Sequence, residues 1–367
     1  MPPLSPGLRA RLPRSIRRLR RMTSLLRPVL TSNVRRLDAP WKLTLATTYV
    51  CNHKCNHCGI WTRRPKGEMT TEDMAALFAA NPSIRWLDLT GGEPTARSDL
   101  SDIVRSAGRH LPDLLVLHFP TNGTLPDKAV AAARAATEST AAHVIITVSL
   151  DGPPEIHDAI RGTPGAWEGA IETFSRLRDL PGVEVVLGMT ITPENAGSIQ
   201  RTFASATEKL GSLDRDAFHF NVAQRSSHFY GNEQMPMADG QAVLAALRTA
   251  DAERVMSPRA LMERSYRALV PRFLEDGRSP VTCQSMSASC FVDPWGVVYP
   301  CITEDRPLAN LADHEWSLAS VWAVTHDAAS DMAAGRCAGC WTPCEAYQSL
   351  LGSLPAAGRA ALRGVGD

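Results

Sequence analysis

The sequence predicts an α/β fold with a mostly parallel sheet. Between about residues 42 and 225, short apolar runs rich in β-branched residues alternate with amphipathic helical stretches, which is typical of βα units. The composition, 44% hydrophobic and 21% charged residues, is that of a globular protein. No run of about 18 apolar residues occurs, so a membrane-spanning helix is excluded. Six βα units are too few for a complete eight-stranded barrel, and an open barrel and a doubly wound sheet both fit the pattern.

The predicted elements follow one another at regular spacing. Strands are expected at residues 42–48, 84–89, 114–120, 143–150, 183–192 and 217–223. Helices are expected at 70–80, with Thr70 as its cap, and at 98–110, 127–138, 166–178 and 194–209. Later in the chain, we expect helices at 240–252, 258–275, around 317–334 and around 345–362. The stretch "CFVDPWGVVYPC" predicts a hairpin with its turn at Pro294–Gly296.

The N-terminal segment is strongly basic. Ten of the 39 basic residues lie in residues 1–37, where no acid occurs, so the rest of the chain is acidic. From Pro13, the pattern places Ile16, Leu19, Met22, Leu26 and Leu30 near one side of a helix that Pro28 should end or kink. The segment fits an amphipathic helix on an anionic membrane or acidic partner, a solvated tail or an organelle transit peptide. It lacks the apolar core of a secretory signal, and because the body is acidic we expect no nucleic-acid binding.

Each conspicuous polar motif follows a predicted strand. The loop "CNHKCNHC" (51–58) follows the first strand, "TGGEP" (90–94) the second, "TNGT" (121–124) the third and "SLDGP" (149–153) the fourth. Because the carboxyl ends of parallel strands meet at one edge, these loops should converge. Taken singly, each motif also has a structural explanation as a turn, a helix start or a surface cation. Their joint order indicates a functional site.

The nine cysteines fall into two groups. Cys51, Cys55 and Cys58 lie in the first loop, and the second group consists of Cys283, Cys290, Cys301, Cys337, Cys340 and Cys344. Such clustering without a secretory signal favours metal sites over a disulfide scaffold. A zinc site would need a fourth ligand, which His53 or His57 could supply. Three thiolates can instead hold three irons of a [4Fe–4S] cube and leave the fourth iron open to another ligand.

The motifs resemble those of radical S-adenosylmethionine (SAM) enzymes over most of residues 42–225. "CNHKCNHC" matches the CxxxCxxC signature, "TGGEP" is similar to the GGEP motif, and "SLDGPPEIHDAIRG" (149–162) is similar to the family's fourth-strand segment. The resemblance implies a partial (β/α)6 TIM-like barrel. It also implies that a [4Fe–4S] cluster reductively cleaves SAM to a 5′-deoxyadenosyl radical, which abstracts hydrogen from a substrate. On this resemblance Cys51, Cys55 and Cys58 bind the cluster, and the SAM-binding residues are His57, Gly91, Gly92, Glu93, Asn122, Ser149, Asp151 and Arg161.

The second cysteine group resembles the SPASM domain, or its shortened twitch form, which holds auxiliary iron–sulfur clusters. Gly296 and Cys301 match its hairpin, but its CxxC-x5-C-x3-C run is abbreviated here to "CAGCWTPC" (337–344). We therefore expect at least one auxiliary [4Fe–4S] cluster, with Cys301, Cys337 and Cys340 as ligands and a fourth from Cys283, Cys290 or Cys344. Two clusters with a non-cysteine ligand, or a zinc site, are the alternatives.

These features predict a radical SAM oxidoreductase or transferase-like enzyme in which an auxiliary cluster assists oxidation or cross-linking. The alternatives are a peptide-modifying maturase, a lipid- or sugar-modifying enzyme, and a non-catalytic iron–sulfur or zinc module. We expect a basic segment (1–37), a radical SAM core (38–225), a helical linker (226–280), a SPASM/twitch-like domain (281–350) and a tail (351–367). Because iron–sulfur clusters are sensitive to oxygen, we expect a cytoplasmic protein. We also expect an electron donor such as flavodoxin or ferredoxin. The basic N-terminus predicts a contact with the membrane surface.

Overall fold

A single sheet organises the molecule. The computed structural model describes residue 23 and residues 25–250, 258–337 and 339–361, with the backbone alone for residues 215, 258 and 361. Within these ranges nine strands form one sheet in the order β6-β5-β4-β3-β2-β1-β7-β8-β9. Their bounds are Lys42–Thr48 (β1), Trp86–Gly91 (β2), Val116–Thr121 (β3), His143–Ser149 (β4), Val183–Ile191 (β5), Phe218–Val222 (β6), Ser289–Val292 (β7), Val297–Tyr299 (β8) and Ala309–Asn310 (β9).

Helices connect and cover these strands. In chain order, the α-helices with described bounds are Thr71–Ala80, Leu100–His110, Pro126–Ser139, Pro154–Arg161, Ala166–Arg178, Ile199–Leu210, Gly240–Thr249, Pro258–Ala268, Val270–Asp276, Leu318–Val324, His326–Ala333, Pro343–Leu351 and Leu354–Ala361. Four short 3-10 helices also occur in the described chain: Ile60–Thr62, Pro94–Ala96, Arg215–Ala217 and Leu311–His314. Thr70 caps helix Thr71–Ala80, as predicted, and does so through a reciprocal capping box with Asp73.

The strand order decides between the two architectures that the sequence left open. Strands β1 to β6 are all parallel and each pairs with its neighbour in the chain. A doubly wound sheet would reverse this order at a switch point. Uninterrupted order is that of a barrel, so the partial (β/α)6 TIM-like barrel is confirmed.

The C-terminal cysteine-rich region joins the same sheet. Strand β7 pairs in parallel with β1, and β7, β8 and β9 then continue as antiparallel neighbours. The turn of the predicted hairpin lies at residues 293–296, where Gly296 has φ +81°. The domain boundaries predicted above stay predictions.

Several element boundaries differ from the sequence prediction for local reasons. Helix 194–209 begins only at Ile199, because the Asn195 side chain closes a turn by accepting from Thr192 N at 2.8 Å. The single helix expected at 258–275 is two helices, and Pro271 lies at the start of the second. Helix Pro154–Arg161 was not predicted.

The N-terminal segment is only partly described. Residues 25–32 are helical, so Pro28 does not end that helix. The predicted amphipathic positions Ile16, Leu19 and Met22 lie outside the described residues. Across the described chain, no helix has both the length and the apolarity needed to cross a membrane.

Helix Pro343–Leu351 lies across the open side of the barrel. The Nζ of Lys42 in β1 lies 2.8 Å from the Asp88 carboxylate and donates to the Cys344 carbonyl at 2.5 Å. At the other margin, the Tyr347 hydroxyl donates to Glu263 at 2.5 Å and lies 3.2 Å from His219 Nδ1 in β6. This helix therefore links the first and last strands of the partial barrel.

Candidate functional site

The three-cysteine loop starts where β1 ends and is anchored at both ends. At its start, Glu68 accepts from the Tyr49 N–H at 2.6 Å and from the Thr48 hydroxyl at 2.8 Å. At its end, Gly59 N donates to the Tyr230 carbonyl at 2.7 Å. All three cysteines are free thiols. These contacts fix the loop at the carboxyl edge of the sheet without using its sulfur atoms.

The glycines of "TGGEP" allow β2 to pass close to this loop. Gly92 N donates to the Thr48 carbonyl at 2.7 Å and Glu93 N donates to the Val50 carbonyl at 2.9 Å. A Cβ on Gly91, which has φ +137°, would lie 2.0 Å from Thr48 O, and one on Gly92 would lie 2.3 Å from Val50 O. Both positions therefore require glycine.

Glu93 joins the second and third motifs. Its carboxylate is almost fully buried and accepts from Thr95 N at 3.0 Å, Thr95 Oγ1 at 2.6 Å, Thr121 Oγ1 at 2.9 Å and Asn122 N at 2.7 Å. Asn122 Nδ2 in turn donates to Asn52 Oδ1 in the cysteine loop at 2.7 Å. These bonds occupy the Glu93 side chain within the protein, so its role as a SAM ligand stays a prediction.

Arg161 brings the fourth motif to the cysteine loop. Its Nη2 lies 2.6 Å from Asp151 Oδ2, and its Nη1 donates to Cys55 Sγ at 3.8 Å. Burial alone would lower the pKa of Arg161, but Asp151 raises it above its ordinary value. Helix Pro154–Arg161 ends here because Gly162, at φ 58°, turns the chain so closely past the loop that a Cβ would lie 2.6 Å from Lys54 O.

Ser149, from the predicted SAM site, and Asn195 lie near Asp151, one in the sequence and the other through a hydrogen bond. Ser149 ends β4 and is paired in register with Gly188 of β5, which is paired with His219 of β6. Asn195 is structural: its side-chain amide donates to Asp151 O at 2.9 Å and Thr190 O at 2.8 Å. The structure thus gathers all four motifs at one edge of the sheet, as the strand order predicts.

Burial controls the electrostatics of the loop. It raises the pKa of Cys51 to about 11 and that of Cys58 to about 12, and it also raises the pKa of Cys55, where Arg161 opposes the shift. It lowers the pKa of both His53 and His57 to about 4. The imidazoles are therefore neutral at pH 7, and the thiols need a cationic partner in order to ionise.

The loop after β6 completes the site, although the sequence pattern predicted a linker from residue 226. Asn232 Nδ2 donates to the His57 carbonyl at 3.1 Å, and the Tyr230 carbonyl accepts from Gly59 N at 2.7 Å and from the Cys58 thiol at 3.9 Å. A Cβ on Gly59 would lie 2.4 Å from Gly231 O. The sequence contains an indication of this loop, because the polar and aromatic stretch "QRSSHFYGN" (224–232) follows a predicted strand just as the other motifs do.

Four of the six C-terminal cysteines interact electrostatically with one another. A hydrogen bond with Cys340, together with burial, raises the pKa of Cys301. Burial raises the pKa of Cys283 and of Cys337; the charges of Glu345 and Cys301 add to the effect on Cys283, and the charge of Cys301 adds to the effect on Cys337. These mutual effects make Cys283, Cys301, Cys337 and Cys340 the candidate ligand set for an auxiliary cluster.

Cys290 and Cys344 have a different environment. Burial raises the pKa of Cys290 and raises that of Cys344 to about 12, and the charge of Lys42 opposes both shifts, which it does for none of Cys283, Cys301 and Cys337. Cys344 packs in the same apolar cluster as Tyr230 and the first-group residues Cys51 and Cys58. Burial likewise raises the pKa of Tyr230, and Cys344, Cys58 and Cys340 add to this shift. Tyr230 therefore lies between the two cysteine groups.

A sequence profile described as the radical SAM superfamily matches residues 45–206, the range that contains all four motifs. The chain belongs to the radical SAM superfamily. It is an enzyme of that superfamily, whose members use a [4Fe–4S] cluster with SAM. This assignment sets aside the non-catalytic alternative.

Curated radical SAM relatives match most of the chain. Mycofactocin maturase MftC of Mycobacterium tuberculosis is 28% identical over 346 residues, covering 92% of this chain and 83% of the relative. The AdoMet-dependent heme synthase of Methanosarcina barkeri is 29% identical over 299 residues, covering 74% of this chain and 77% of the relative.

Solved structures share the fold. Streptococcus suis SuiB bound to SAM aligns with a TM-score of 0.52 at 14% identity, covering 72% of this chain and 61% of that chain. SuiB bound to its precursor peptide SuiA aligns with a TM-score of 0.53 at 13% identity, covering 77% of this chain and 66% of that chain. At this identity, the likeness concerns the fold alone.

The residues of the radical SAM site fit the cofactor that the family implies. The loop offers three free thiols, and the guanidinium of Arg161 stands beside one of them to balance their charge. Within the described ranges, no three His, Cys, Asp or Glu side chains gather at the spacing of a single metal ion. The thiolates of a four-iron cube bind different irons and stand farther apart.

Proposed function

We propose that this radical SAM enzyme holds one auxiliary [4Fe–4S] cluster through Cys283, Cys301, Cys337 and Cys340, and that it oxidises or cross-links a peptide. The mutual electrostatic effects of these four cysteines, and the position of Cys290 and Cys344 near Lys42, support the proposal. When bound, SAM and the clusters supply hydrogen abstraction and an acceptor for the electron left on the substrate.

Within this proposal, the residues of the chain hold, orient and shield these groups. Cys51, Cys55 and Cys58 hold the SAM cluster, and Arg161 favours the thiolate form of Cys55 by its charge and its hydrogen bond. The glycine pair at 91–92 leaves backbone rather than side chain facing the cysteine loop. His57, Asn122, Ser149 and Asp151 surround SAM.

The proposed substrate class rests on the relatives. One of them is named a maturase of mycofactocin, and SuiB, which shares the fold, was solved with the precursor peptide SuiA. A tetrapyrrole is the second candidate, because AdoMet-dependent heme synthases and an Fe-coproporphyrin III synthase also match the chain. Incubation with Fe-coproporphyrin III distinguishes the two classes: consumption of the porphyrin with formation of 5′-deoxyadenosine would favour the tetrapyrrole.

The experiment is anaerobic reconstitution of the full chain, followed by iron and sulfide analysis and a 5′-deoxyadenosine assay with dithionite and SAM. The parent should hold about eight irons, and a Cys301→Ser/Cys340→Ser variant about four while still cleaving SAM. Removing Cys51, Cys55 and Cys58 should abolish SAM cleavage and leave about four irons. Cys290→Ala is the matched control, because it removes a buried thiol from outside the proposed ligand set.

Two outcomes would overturn the assignment. If Cys290→Ala loses as much iron as the Cys301/Cys340 variant, the proposed ligand set is wrong. If the region binds zinc after anaerobic purification, the auxiliary cluster is replaced by a zinc site.

The predicted electron donor is a flavodoxin or ferredoxin, and the predicted location is the cytoplasm, where oxygen-sensitive clusters survive. Spectroscopic reduction of the reconstituted protein by either donor tests the first prediction. The predicted membrane contact depends partly on residues 1–22, which lie outside the described part of the chain.

A further inference from the structure

An apolar stripe lies exposed on the N-terminal helix. Among the helical residues 25–32, Leu26 and Leu30 are 54% and 50% exposed, and Val34, one turn further, is 84% exposed. Leu354 is 40% exposed and is tied to the same place, because its N–H donates to Asn33 Oδ1 at 3.2 Å. We call these four residues the leucine stripe.

A second face of this helix is already packed against the rest of the protein. Val29 is buried with Leu37 and Trp41, and Leu25 and Leu351 pack against this cluster. The stripe residues at 26 and 30 are one turn apart and one position beyond Leu25 and Val29, so they belong to a different face. Four of the seven large hydrophobic side chains that are exposed in the described chain belong to the stripe. This concentration is unusual for a surface without a partner.

The charge around the stripe indicates its partner. Arg27 and Arg359 are exposed on the two segments that carry the stripe. Residues 1–37 contain ten arginines and no acid. A second copy of this chain would bring the same cations to the contact and repel them, whereas an anionic lipid surface offers both apolar depth and negative charge.

We propose that the leucine stripe docks this enzyme on an anionic lipid surface. The helix would lie in the plane of the interface, with its leucines below the headgroups and Arg27 among the phosphates. The underlying cluster of Val29, Leu37 and Trp41 comes just before β1, whereas the cysteine loop follows the end of β1. Seven residues of strand span roughly 20 Å, so the stripe and the SAM site lie at opposite edges of the sheet. Docking therefore leaves the mouth of the barrel open to a substrate from the aqueous side.

The test is co-sedimentation of the full-length reconstituted enzyme with vesicles of phosphatidylcholine, with and without phosphatidylglycerol. The parent should bind only the anionic vesicles, and added salt should weaken the binding. Leu26→Glu/Leu30→Glu should lower the partition coefficient about tenfold or more. Ala131→Glu/Ala204→Glu, which adds the same two charges to exposed positions on outer helices of the barrel, should bind like the parent.

Leu26→Ser/Leu30→Ser supplies a second variant without added charge, and thermal unfolding checks that each variant is folded. The proposal is overturned if folded stripe variants bind anionic vesicles like the parent, or if the parent binds no vesicles. It is also overturned if the parent sediments as a dimer that the stripe variants dissociate, because a second copy then covers the stripe. Vesicle binding that first appears when residues 1–22 are deleted would identify that segment as the cover and likewise contradict the proposal.

Discussion

The buried ion pair between Lys42 and Asp88 offers a quantitative test of how the barrel is held to its C-terminal region. Lys42 is fully buried, Asp88 is 5% exposed, and their charged atoms are 2.8 Å apart. Lys42 also donates to the Cys344 carbonyl and to Thr44 Oγ1. Burial alone would raise the pKa of Asp88, but Lys42 holds it below its ordinary value.

Lys42→Met leaves the Asp88 carboxylate buried without its cation. Removing one partner of a buried pair costs about 3–5 kcal/mol of unfolding free energy. Lys42→Met/Asp88→Asn removes both charges and keeps an acceptor for the Trp86 indole N–H, which donates to Asp88 at 2.7 Å. The double variant should therefore lie within about 1–2 kcal/mol of the parent.

Urea unfolding followed by tryptophan fluorescence measures these differences under anaerobic conditions. Arg176→Met, which breaks exposed pairs with Asp127 and Glu172, is the matched control and should change stability by about 0.5 kcal/mol or less. Lys42→Met removes the charge that holds the pKa of Asp88 below its ordinary value, so the loss of stability should be largest at pH 7 and shrink as the pH falls. The reasoning is refuted if Lys42→Met lowers the free energy of unfolding no more than Arg176→Met does. It is also refuted if the loss in the double variant equals the sum of the losses in Lys42→Met and Asp88→Asn.

Three further predictions concern the site and its surroundings. Gly92→Ala should displace the cysteine loop, because the added Cβ would lie 2.3 Å from Val50 O. We therefore expect metal analysis to show less iron at the SAM cluster, and an unchanged iron content would contradict the close approach. Arg161→Lys should weaken SAM binding about tenfold in equilibrium dialysis, since one ammonium cannot span the Asp151 carboxylate and the loop sulfur together; unchanged affinity would contradict this. Burial raises the pKa of Glu345 from 4.5 to about 7, so its contribution to stability is present below pH 4.5 and is lost as the pH rises to about 7, by at most about 3 kcal/mol. Glu345→Gln should flatten that interval of the pH–stability profile, and a profile like that of the parent would refute the assignment.

Much of the barrel could be predicted because its strands are local in sequence. The run "KLTLATT", in which leucines alternate with β-branched threonines, forms β1 with the bounds expected, and helix 166–178 also has the predicted bounds. Predicted helix boundaries were wrong where a side-chain hydrogen bond outweighed helix propensity. The Asn195 side chain, for example, holds a turn before the helix begins at Ile199. Helix Pro154–Arg161 was missed because its proline-rich start reads as a turn.

The candidate site was predicted unevenly for a similar reason. The first four loops can be recognised in the sequence by their cysteine, glycine and acidic motifs. The loop at 224–232 instead contributes chiefly backbone carbonyls and an asparagine amide. Such groups exist in every sequence and become informative only when their positions are known.

The sequence by itself determined the parallel α/β class, the three-thiol loop and the order of the motifs, because these depend on periodicity and on residues adjacent in the chain. Only the tertiary structure decided that helix Pro343–Leu351 links the first and last strands of the barrel, and that Cys290 and Cys344 lie near Lys42 of β1. Which thiols meet depends on the pairing of β7 with β1 and on the packing of the last helices. Those contacts join residues that lie far apart in the chain, and sequence spacing does not record them.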